Sequence, residues 1–85
     1  MRPLATQRRI LAAMGTKRAA RHREAAQRHD AAADRHDEAA VYWETGADDP
    51  VRAEFERRNA RIERDAAQLE RDRAAHEETA PIGDD

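Results

Sequence analysis

The chain has 85 residues, no cysteine, and a formal net charge of −2 made from 16 basic and 18 acidic side chains. That length allows one small domain, and the absence of cysteine excludes disulfides and thiolate metal sites. No run of about 18 apolar residues exists to span a bilayer, and the first residues lack the continuous apolar segment of a secretory signal, so the expected location is the cytoplasm.

Apolar residues make up 39% of the chain, but 20 of them are Ala. Large apolar side chains are few, and at roughly 25 cal/mol per Å² they make a marginal core in so short a chain. The expected remedy is self-association, most simply as a homodimer, or docking on another helical protein. Charge is unevenly spread. Residues 1–29 carry eight basic side chains and one acid, whereas residues 30–85 carry eight basic and seventeen acidic ones.

Residues 1–15 form a basic arm or short helix, with Thr6 as its cap and Leu4, Leu11 and Met14 on one side. Gly15 is expected to interrupt it, since Gly costs about 1 kcal/mol relative to Ala inside a helix. Thr16 then caps the next element.

A first long helix is predicted over 16–44. Within it an Arg-His pair, set among alanines, recurs every seven residues, placing His22, His29 and His36 in one column with Trp43 at its end. Ala19, Ala26, Ala33 and Ala40 run beside them, a small-residue surface that lets a neighbouring helix approach closely. Residues 45–49 read as the turn, with Gly46 as a left-handed C-cap, and Asp49-Pro50 as the N-cap and first position of the next helix.

The second helix is predicted over 50–78, followed by an acidic flexible tail, 79–85. It carries the column Phe55, Ile62, Leu69 and His76, with Ala66 beside it, and a second column of Ala53, Ala60, Ala67 and Ala74 about 160° away. The fold class is thus all-α: a long antiparallel, coiled-coil-like hairpin, forming a four-helix bundle by dimerisation. Within the hairpin the two heptad columns are expected to face each other. Trp43 then meets Phe55, His36 meets Ile62, His29 meets Leu69, and His22 meets His76.

Three functions follow as expectations. The first is a noncatalytic interaction or scaffolding module that uses the Ala columns, His22, His29, His36, Trp43, Phe55, Ile62, Leu69 and His76. The second is a metal- or pH-responsive assembly. Residues seven apart rise about 10.5 Å along a helix, so His22, His29 and His36 cannot share an ion within one chain. The pair left to hold zinc or another divalent transition metal is His22 with His76. Stacked His would also repel one another when protonated. The third is nucleic-acid binding through Arg2, Arg8, Arg9, Lys17 and Arg18, set against the acidic second helix and the lack of interleaved aromatics. An enzyme is not expected, because Ser and Cys are absent and exposed helical carboxylates have no enclosed pocket to tune them.

Overall fold

The computed structural model describes residues 3–79, and these form two long helices folded into a hairpin. Helix α1 is Leu4–Val41, helix α2 is Pro50–Thr79, and a single π-helical turn, Tyr42–Gly46, lies between them. The hairpin is a thin rod measuring 68 × 18 × 13 Å. No helix among the described residues is long and apolar enough to cross a membrane.

Helix α1 does not break at Gly15. It begins directly after Pro3, whose carbonyl accepts the Gln7 amide at 3.1 Å, and runs through the expected boundary without interruption. Thr6 lies inside the first turn, and Thr16 turns its hydroxyl back onto the Ala12 carbonyl at 3.0 Å, so neither is a cap. The reason for glycine at position 15 is close approach. A Cβ there would lie 2.9 Å from the Glu77 carbonyl oxygen of α2, and Gly15 is buried. Residues 4–15 of the expected arm are therefore the first three turns of α1. Residues 1–2 and 80–85, which include Arg2 and all but the first residue of the expected tail, lie outside the described residues.

The connection also departs from expectation. Gly46 is not the left-handed residue. The helix instead widens, with the Ala47 amide bonded to the Tyr42 carbonyl at 3.0 Å, and the left-handed position is Asp48 at φ 51°. A Cβ on residue 46 would meet the Tyr42 ring at 3.1 Å, so the wide turn folds glycine against an aromatic face. Asp49 then caps α2: its side chain accepts the Arg52 amide at 3.1 Å, and Pro50 occupies the first helical position.

The core is made of alanine. Ala19, Ala26, Ala33 and Ala40 on α1, with Ala53, Ala60, Ala67 and Ala74 on α2, are each at most 2% exposed, and among the described residues no large side chain is fully buried. Two columns of methyl groups, one on each helix, let the backbones pack closely. The second column of α2, about 160° from the one expected to face α1, is thus the seam with α1. Phe55, Ile62 and Leu69, expected inside the hairpin, are 56%, 64% and 50% exposed on the other side of α2. The register is correspondingly shifted, because helices joined through alanine gain packing on both sides, whereas a His–aliphatic stack would hold them apart.

Candidate functional site

Beside the alanine seam runs a ladder of three identical layers. His22 faces Glu70, His29 faces Glu63, and His36 faces Glu56, each with Nδ1 2.6 Å from Oε2. The carboxylates accept, so Nδ1 of each ring carries the proton and donates. All six groups are half-buried, so the bonds are partly shielded from water. The ladder continues at both ends with altered chemistry. At the open end Gly15 stands where the next His would be, and Arg18 reaches across to Glu77 at 2.8 Å. At the closed end Trp43 takes the His position and packs edge-on to Tyr42 with centroids 5.1 Å apart, while the Arg52 guanidinium lies 4.6 Å over its ring.

Along the same seam a second ladder joins the helices on their more exposed edge. Asp30 accepts from Arg71 at 2.8 Å, Asp37 pairs with Arg64, and Glu44 pairs with Arg57; Glu78 continues the row with Arg23 in reversed polarity. Asp37, with Asp34 and Asp30 beside it, raises the Arg64 pKa above its ordinary value. Glu70 is held below the ordinary carboxylate value by the His22 hydrogen bond and then by Arg73, and Glu77 by Arg18. The described residues include no buried side-chain N or O atom without a partner.

These layers assign the predicted site residues to separate places. The α1 Ala column and the three His lie in the seam. Trp43 closes the turn without touching Phe55, whose ring instead has Arg58 5.9 Å away. Ala66 is half-buried, and His76 is exposed. The His–aliphatic and His–His layers do not form, and a protonated ring in this seam meets a carboxylate rather than another imidazolium. His22 and His76 do line one open groove of about 430 Å³, together with Asp72, Arg73 and Glu77. Among the described residues, no group of three or more His, Asp or Glu is arranged to hold a metal ion. Of the basic residues, Arg8, Arg9 and Lys17 are exposed on α1, whereas Arg18 is engaged with Glu77.

The residues that sequence reasoning did not single out are the carboxylates Glu56, Glu63 and Glu70, which with Glu77 form one column. They step by seven, as the His do, and that shared period is the signal that could have paired them. On α2 the fold leaves the other heptad column on the surface, Phe55, Ile62 and Leu69 flanked by Val51, also 64% exposed, while α1 exposes Leu4, Ile10, Leu11, Met14 and Val41. No protein-family model matches the chain, and no curated protein or solved structure shows significant similarity to it.

Proposed function

We propose that the chain is a noncatalytic helical interaction module, acting by self-association or by docking on a protein partner. One observation carries this reading. The hairpin closes its own seam with alanine and glycine, while the large apolar side chains Phe55, Ile62 and Leu69 form a regular column on the outer face of α2. A periodic apolar column on a helix is the pattern of a contact face, and this one is at least half exposed, on the side of α2 away from the alanine seam. The His–Glu layers supply rigidity to the rod that presents it. Each imidazole is already committed to a carboxylate of the same chain.

The test is site-specific photo-cross-linking in cells that produce the chain. A photoreactive residue at Ile62 is expected to give covalent protein adducts that disappear with L69K, and the same residue at Arg28, on the outer face of α1, is expected to give none. Absence of adducts at Ile62, or equal labelling from both positions, rejects the interaction reading.

A further inference from the structure

We infer that the outer face of α2 binds the same face of a second copy, with the two α2 helices antiparallel and a two-fold axis at Ile62. This inference rests on the interaction reading and names its occupant. Phe55, Ile62 and Leu69 are evenly spaced, so the column is symmetric about its middle member. An antiparallel copy sets Ile62 against the partner's Ile62, and Phe55 against the partner's Leu69 on both sides. All three side chains are at least half exposed in the single hairpin, so each gains cover from the pairing.

Charge selects the same orientation. Along one edge of the column run Arg58, Asp65 and Asp72, basic first and acidic after. In a two-fold antiparallel pair each edge meets its own reversed copy. Arg58 therefore comes level with the partner's Asp65, and Asp65 with the partner's Arg58. A parallel pair would bring this edge against the other one, placing Arg58 level with the partner's Asn59 and Asp65 level with the partner's Ala66, so that neither charge meets an opposite one. The other edge of the antiparallel pair sets Asn59 level with the partner's Ala66. It also sets Arg52 toward the partner's Arg73; Arg52 is held by Asp49 at 3.4 Å and Arg73 by Glu70 at 2.8 Å within each chain, and Arg58 shares Glu54 at 3.5 Å with Arg61, so the Arg58–Asp65 contact adds to an existing pair. Arg61 lies further out on the Arg58 edge, bonded to Glu54 at 3.2 Å, and adds to the positive end that Asp65 meets.

The geometry also fixes the form of the assembly. The Phe55 column lies about 160° around the helix from the buried Ala column. A square four-helix bundle needs contact faces nearly at right angles. Here the second copy sits across α2 from α1, and the four helices form a flat row with the two α2 helices in the middle.

Sedimentation equilibrium of the full chain, with helicity followed by circular dichroism, tests this. The wild type is expected to be a dimer at tens of micromolar concentration. I62E should make it a monomer of unchanged helicity, because Ile62 is 64% exposed and does not touch the seam. R58D and D65R alone should each weaken the dimer by about tenfold, the scale of two surface ion pairs turned to repulsions, and R58D/D65R together should restore it. Small-angle scattering should give a flat particle. A monomeric wild type, a dimer indifferent to I62E, or single reversals that the double variant does not rescue would each overturn the inference. If the purified chain is monomeric while Ile62 still cross-links to another protein in cells, the second copy is wrong and the interaction reading stands. If the chain is monomeric and Ile62 gives no adducts, both are wrong.

Discussion

Gly15 shows how one atom governs the open end of the hairpin. Replacing it with Ala gains about 1 kcal/mol of helix propensity in isolation, but the new Cβ would lie 2.9 Å from a backbone carbonyl that cannot rotate away. Overpacking of this kind costs about 1–3 kcal/mol, so G15A is expected to be the less stable protein, by up to about 2 kcal/mol. Urea denaturation followed by circular dichroism measures it, and a more stable G15A would show that α2 can step aside. Glu70 and Glu77 set the acid response at the same end. Both have folded values below the ordinary 4.5, lowered by His22 and Arg73 and by Arg18 respectively. The unfolded chain therefore takes up protons first as pH falls. Their contribution is fully present above 4.5 and is lost as pH drops through the lower folded values. The melting temperature should fall in that window, and more shallowly in E77Q. An unchanged slope in E77Q would mean that the Arg18–Glu77 contact contributes no stability.

At the level of elements, both helices, their antiparallel arrangement and the Asp49-Pro50 start of α2 were legible in the sequence. They rest on local chemistry: helix-forming Ala and Arg, a short polar connection, and a cap followed by a proline that fits only the first turn. The seam was not legible in the same way. Both α2 columns step by seven, and ranking them by hydrophobicity favours Phe55, Ile62 and Leu69 over Ala53, Ala60, Ala67 and Ala74. The fold ranks them by size, because smooth columns of methyl groups bring the two backbones closer than an aromatic can. That preference places Glu56, Glu63 and Glu70 against the His and turns the larger column outward. The uninterrupted α1 was hidden for a related reason. Glycine reads as a breaker from propensity alone, whereas at position 15 it answers to a neighbour 62 residues away along the chain. For the site, sequence reasoning found the His column, its period and a carboxylate as one kind of partner for its nitrogens, but not which carboxylates, since acidic residues on a charged helix look like solvated surface until a register is chosen.

For the whole molecule, the repeat that builds the hairpin also threatens its uniqueness. Sliding α2 by one heptad, so that Glu70 meets His29, would again give three His–Glu pairs: His22 with Glu77, His29 with Glu70, and His36 with Glu63. The layers by themselves do not choose between the two registers. The ends do. The native register lets Arg18 bind Glu77 beside Gly15 and sets the turn just after Gly46. The slipped register would move the turn toward residue 50, where proline has no amide hydrogen to continue a helix. Uniqueness thus resides in the short connection, much as a buried polar position fixes the register of a coiled coil. Replacing residues 47–49 with a long Gly/Ser linker, together with P50A, should free the slip without altering the seam. Two cysteine pairs report it through a short thiol cross-linker. D30C with R71C spans the native ladder, in which these side chains lie 2.8 Å apart, and D30C with E78C spans the slipped one. The native turn is expected to permit only the first cross-link. The long linker is expected to permit both, because closing a flexible loop costs little more as it lengthens. If the long-linker chain still forms only the native cross-link, the register is set within the helices themselves, and the end layers with Gly15 and Trp43 outweigh the turn.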